Sequence, residues 1–239
     1  RSWDNEGKAS SWSETAFWQM ALLDSNDWKA KWIESDLDKD GSQRPAVYFR
    51  KEFELSKKVQ SATAYITVHG MYEAAINGKR VGNFYLTPGW TSYNKRLQYQ
   101  TYDVTDLLNQ NNNAIGITVG NGWYRGYLAW GGNKNIWGSD LSLLFQLDIT
   151  YSDGTKQSIV SDGSWKSSTG SILDAEIYHG EMIDARKEKS GWLNAGYSDA
   201  VWNSVTEKRF SKSVLLSEQN EPVKKHETFS PLKIVTTPK

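Results

Sequence analysis

The chain has 239 residues, enough to bury a core and to hold one or two domains. Lys plus Arg equals Asp plus Glu at 28 each, so no broad basic field exists to hold a nucleic acid or other polyanion. There is no cysteine, which removes disulfides, thiolate nucleophiles and thiolate metal sites together, and no apolar run reaches the ~18 residues that span a bilayer.

The chain begins at Arg1 with no charged-then-apolar leader after it, and reads as cut from something longer. Phe17 to Leu23 is a mostly apolar, strand-length run that ends at the polar turn Asp24-Ser-Asn-Asp27. A single strand cannot bury itself, so this run is expected to complete a sheet elsewhere. Asp36 to Gly41 is a polar loop. Val47–Leu55 and Ala62–His69 are rich in β-branched and aromatic residues and read as strands. Tyr72–Asn77, Gly78 and Arg80-Val81 form a hairpin, because Asn-Gly supplies the positive φ values of a type I′ turn.

Asp103–Leu108 carries a capping Asp and one apolar turn, a short helical or 3₁₀ segment. Asn113–Val119 and Leu141–Tyr151 are strands, and Ser152-Asp-Gly154 turns the second into Lys156–Val160. Leu215–Val223 is a polar connector, and Lys233–Thr237 reads as a strand opening a further module. Many short strands, frequent turns and scarcely a helical period predict an all-β, antiparallel sandwich.

Three glycine-bearing, loop-like segments carry the side chains that hold sugars: Asn77–Gly82, Pro88–Arg96 and Asn121–Gly126. A pyranose offers an apolar C–H face to indole or phenol and a rim of hydroxyls to Asn, Asp, Arg and Tyr. Most of the 12 Trp and 12 Tyr belong in a core, as in any sandwich. Trp90 and Trp123 each follow a loop glycine and stand apart from that expectation. Asn77, Trp90, Asn121, Trp123, Tyr124 and Arg125 are accordingly the carbohydrate-binding candidates, with turn-forming and core-closing roles as the alternative.

Glycoside hydrolysis needs two carboxylates across a bond, ~5–9.5 Å apart. Glu181 and Asp184 are the one tempting pair, but in an extended strand they project to opposite faces, and Arg186 is the expected partner of Asp184. These three read as structural or interdomain residues. The histidines lie far apart in sequence without zinc spacing. Loop oxygens of Asn77, Asn121, Asn133, Asn135 and Asp140 allow calcium, though a solvated loop is the commoner meaning. No nucleophile elbow or phosphate loop is present.

Six motifs in order, Ala46–Leu55, Asn77–Gly82, Leu86–Tyr93, Tyr99–Leu108, Gly120–Gly126 and Ile177–Arg186, together resemble bacterial α-L-rhamnosidases of glycoside hydrolase family 78. The resemblance implies a jelly-roll, galactose-binding-like sandwich over residues 34–214. It makes residues 1–33 the end of a preceding fibronectin-type β-sandwich and residues 215–239 the start of a following β-domain. In this family an α/α helical barrel carries an inverting acid–base pair, so a chain without that barrel is expected to be inactive alone. The implied role is a non-catalytic region that supports or extends substrate binding, with rhamnose-containing glycans and the barrel as partners. No cofactor is required, and calcium is allowed. An autonomous calcium-dependent rhamnose-binding module and a protein-interaction sandwich are the competing readings. Kinship alone favours a periplasmic or secreted setting.

Overall fold

The computed structural model describes residues 1–16, 19–37 and 44–236. Its strands in chain order begin with β1 (Trp32–Ser35), β2 (Val47–Glu54), β3 (Val59–His69), β4 (Met71–Ile76), β5 (Lys79–Arg80) and β6 (Phe84–Tyr85). They continue with β7 (Leu97–Asp103), β8 (Asn112–Gly120), β9 (Tyr127–Leu128), β10 (Asn133–Lys134), β11 (Ser142–Tyr151) and β12 (Lys156–Val160). The last are β13 (Lys166–Thr169), β14 (Ile172–Glu176), β15 (Gly180–Ile183), β16 (Asn203–Lys208), β17 (Leu215–Ser217) and β18 (Val223–Lys224). Among the described residues the one α-helical turn, α1, is Gly122–Arg125.

Twelve strands form one sheet in the order β17-β7-β3-β11-β1-β16-β13-β2-β8-β4-β5, with β12 branching from β11. The sheet curls until its two ends face each other as a sandwich. Ile66, Val68, Leu143, Phe145 and Leu147 from β3 and β11 share one core with Val47, Phe49, Ile115, Ile117 and Val119 from β2 and β8. The predicted all-β sandwich is therefore the architecture, with one qualification: β17 joins β7 in parallel, so the sheet is mixed.

The near-continuous apolar run of β11 has a physical reason. Its odd positions Leu143, Phe145 and Leu147 fill the central core, while Leu144 points the other way into a second cluster with Trp28, Trp32, Tyr65, Leu97 and Tyr99. A third cluster, Tyr48 with Trp192 and Trp202, covers the outside of β2, where buried Arg50 bonds the Trp192 carbonyl at 2.8 Å and the Asp199 carboxylate at 2.5 Å. Most indole and phenol is consumed by these layers.

The two predicted hairpins form as expected. Asn77 and Gly78 have φ of 52° and 75°, and β11 and β12 pair across Gly154 at φ 81°. The helical segment after Asp103 is a 3₁₀ turn, Thr105–Leu107, whose first N–H is accepted by Asp103 at 3.0 Å.

Three expectations change. Trp32 and Ile33, placed with a preceding module, form β1 inside the sheet, hydrogen-bonded to β11 on one side and β16 on the other. Residues 19–23 form no strand, and Phe17 and Trp18 lie outside the described residues. The polar connector from Leu215 supplies β17 at the sheet edge and β18 against β6, whereas residues 233–236 form no strand and Thr237 lies outside the described residues. At three residues, Leu215-Leu216-Ser217, β17 is too short for a periodic pattern to announce it, and backbone pairing with β7 together with Leu215 packed on the second cluster holds it in place. Of the predicted loop Asp36–Gly41, residues 38–41 also lie outside the described residues.

Candidate functional site

The three sugar-like segments have different fates. Asn121–Gly126 was expected as a loop and is instead a helical turn. Gly122 takes φ 54°, and a Cβ there would stand 2.5 Å from Met71 Cγ. A Cβ on Gly126 would stand 2.1 Å from the Gly122 carbonyl, so both glycines are demanded by close approach.

This turn drives its polar residues inward. Asn121 is fully buried and Arg125 is nearly so. Arg125 Nε donates to Asn121 Oδ1 at 2.6 Å, and Asn121 Nδ2 donates to Glu176 Oε1 at 2.7 Å. Glu176 also accepts the Tyr127 N–H at 2.9 Å and pairs with Arg44 at 3.5 Å. Arg44 in turn donates to the Arg125 carbonyl at 2.5 Å and to Asn135 Oδ1 at 2.6 Å. Tyr124 stacks on His69 at 4.6 Å, and His69 stacks on Trp32 at 4.5 Å. Burial lowers the His69 pKa to about 4 and pushes the Tyr124 hydroxyl up to about 12.

Asn77 is also spent. Its Nδ2 donates to the Leu107 carbonyl at 2.9 Å and to Asn113 Oδ1 at 2.7 Å, and its Oδ1 accepts the Ala114 N–H at 2.9 Å. Asn77, Asn121 and Arg125 thus spend their polar atoms on buried backbone and on buried side chains, and the Tyr124 ring is buried between His69 and Tyr93, so none of the four presents a surface sugar contact.

The same network fails the test for calcium. Asn121 and Asn135 oxygens accept from the guanidinium groups of Arg125 and Arg44, whose charge opposes a divalent cation. Asn77 lies on a different hairpin, Asn133 Nδ2 donates to the Trp130 carbonyl at 3.1 Å, and Asp140 accepts from Ser139 at 2.7 Å. No group of three or more His, Asp or Glu among the described residues could hold a metal.

Trp90 and Trp123 remain. They stack in parallel, 5.9 Å between centroids and 6° between planes, and Trp90 is 53% exposed. Beside them lies a hollow of about 170 Å³ whose lining includes Gln98, Glu218, Asn220 and Glu221. Gln98 and the segment after Ser217 were not among the sequence candidates. No motif marks them, since they meet only through the parallel pairing of β17 with β7. The most exposed indole among the described residues, Trp130 at 94%, sits at the tip of the β9–β10 hairpin and was likewise missed.

Glu181 and Asp184, the pair considered from the sequence, do not assemble into an acid–base pair. Asp184 caps a 3₁₀ turn, Ala185–Lys187, and pairs with Arg186 at 2.8 Å, which holds it below the usual carboxylate range. The larger hollow, about 560 Å³, has Glu73, Glu176 and Glu181 in its lining. Glu73 is bound by Arg80 at 2.6 Å and Glu176 by the buried network, which leaves Glu181 without a second free carboxyl across from it.

Comparison with known proteins agrees with this frame. A family described as the alpha-L-rhamnosidase N-terminal domain matches residues 57–227. An alpha-L-rhamnosidase of Formosa agariphila is 42% identical over 213 residues, which cover 85% of this chain and 23% of that protein. The crystal structure of the native Aspergillus terreus α-L-rhamnosidase superimposes with a TM-score of 0.88 at 45% identity, over 93% of this chain and 26% of that one. The Streptomyces avermitilis α-L-rhamnosidase, solved in complex with L-rhamnose, gives a TM-score of 0.67 at 41% identity over 72% of this chain and 16% of that one. This chain therefore spans about a quarter or less of the length of these relatives. By the span of the family match and the agreement in fold, the chain belongs to the α-L-rhamnosidase N-terminal domain family.

Proposed function

We propose that this chain is a non-catalytic β-sandwich region of an α-L-rhamnosidase that engages rhamnose-containing saccharide through the Trp90–Trp123 pair, while the acid and base reside elsewhere in the parent enzyme. The observation that carries the reading is the exposed indole set beside a hollow rimmed by Gln98, Glu218, Asn220 and Glu221. An apolar sugar face stacks on the ring and its hydroxyls meet the polar rim. A flat apolar patch would have favoured a protein partner; the polar rim argues for sugar.

In the larger hollow Glu73 and Glu176 are committed to other partners and Glu181 has no second free carboxyl across from it, which supports the non-catalytic half, since an inverting hydrolase needs a protonated acid and an ionised base held apart. Two measurements test the proposal. The purified chain should release nothing from an aryl α-L-rhamnoside that the longer parent hydrolyses, and turnover by the chain alone would overturn that half. Titration with L-rhamnose should give a saturable, micromolar-to-millimolar heat that survives a calcium chelator, because the loop oxygens are committed to arginines. Loss of the heat on chelation would favour a calcium-dependent module instead.

A further inference from the structure

The hollow beside the indoles contains a hydrogen-bond donor that the protein itself does not use. Gln98, on β7, is only 5% exposed. Its Oε1 accepts the Gln219 N–H at 2.9 Å, which fixes the two ends of the amide. Its Nε2 then faces Gly89, where an added Cβ would stand 3.5 Å away, and it donates to no group among the described residues. A nearly buried amide held in one orientation, with its donor end turned to the hollow and bonded to no protein group among the described residues, is placed to donate to a ligand oxygen in exchange for water.

Around it acidic groups outnumber basic ones. Glu218 and Glu221 both line the hollow, with Lys224 3.6 Å from Glu221 as the nearby cation. Glu218 receives only a long contact from Gln100, 3.5 Å, so its carboxylate keeps acceptor capacity. Burial raises its pKa, opposed by Gln100 and Lys224 and assisted by Glu221. At about 170 Å³ the hollow is below the ~300 Å³ where pockets for drug-sized ligands begin, which suits a single ring.

We propose that Gln98 donates to one oxygen and Glu218 accepts from one hydroxyl of a neutral sugar ring stacked on Trp90, and that the acidic rim turns away uronates. This rests on the saccharide reading above and adds its selectivity. A uronate carboxylate would meet the like charge of the partly buried Glu218, with exposed Glu221, paired to Lys224, as a weaker contributor at the rim.

Calorimetric titration of the 239-residue chain with L-rhamnose and with D-glucuronate is the test. Wild type should bind L-rhamnose at least tenfold more tightly than D-glucuronate. Gln98→Met, which keeps the volume and removes the donor, should weaken L-rhamnose about tenfold, the size of one lost hydrogen bond. The Glu218→Gln/Glu221→Gln double variant should narrow the gap between the two sugars, and it serves alone if the Gln98 variant does not fold. If Trp90→Ala abolishes L-rhamnose binding while Gln98→Met and the double variant leave both affinities unchanged, the selectivity proposal fails and the stacking reading stands. If neither sugar binds wild type, both fail.

Discussion

Two regions of this molecule carry the same residue vocabulary and use it oppositely. Asn121–Gly126 joins an amide, a tyrosine and an arginine to a glycine turn and folds them all inward, where Arg44, Asn121, Arg125 and Glu176 satisfy one another. Pro88–Trp90 contributes one indole that lies on Trp123 and leaves a face to solvent beside an unused amide. Composition and spacing make the two segments look alike. The difference is in what remains unsatisfied after folding, and unsatisfied groups are what a ligand can pay for.

The sharpest way to break the contrast is to cut the buried network. Arg44→Ala or Glu176→Ala leaves an uncompensated buried charge and should cost about 3–5 kcal/mol, seen as a fall in urea midpoint, without acting on the indole hollow. A loss below about 1 kcal/mol would show that the network is solvated and available after all.

Next in size is an acid effect at His69, held between Trp32 and Tyr124 with Ser142 Oγ 2.7 Å from its Nδ1. Unfolded, the imidazole takes up its proton near 6.5; folded, only near 4. Between those values the unfolded chain binds more protons, so stability is full above about pH 6.5 and is lost progressively as pH falls to about 4, by up to about 3 kcal/mol. Denaturant melts from pH 7 to 4 should show that slope in wild type and not in His69→Gln. An equal slope in both would remove His69 from the account.

Asn77→Ala comes third, at about 1–3 kcal/mol. It removes three internal hydrogen bonds and puts an alanine at φ 52°. Stability unchanged by this substitution would return Asn77 to the surface candidates. Arg186→Ala removes a guanidinium that is 90% exposed and should leave the melting temperature unmoved; a clear drop would show that its pair with Asp184 supports the fold.

How much was legible follows from these cases. The alternation of β-branched and aromatic residues announced β2, β3, β8 and β11, and Asn77-Gly78 announced its hairpin, because those signals are local. Local pattern also singled out Trp90 and Trp123. It could not reveal Gln98, whose neighbour Gln219 is distant in sequence and arrives only through the parallel pairing of β17 with β7. Nor could it tell that Arg125 points inward, since that depends on Gly122 and Gly126 letting the turn close against Met71 and Glu176. Strand β1 was misplaced for a related reason: four consecutive buried residues carry no alternation to read.

The most direct test of the central claim, that recognition resides in the open indole pair and not in the buried amide–arginine cluster, is calorimetric titration of L-rhamnose into wild type and Trp90→Ala, with melting curves alongside. Trp90 is half exposed, so Trp90→Ala should keep the wild-type melting temperature within about a degree or two, as surface changes of ~0.5 kcal/mol do, while the binding heat disappears. Undiminished binding by a folded Trp90→Ala chain would contradict it.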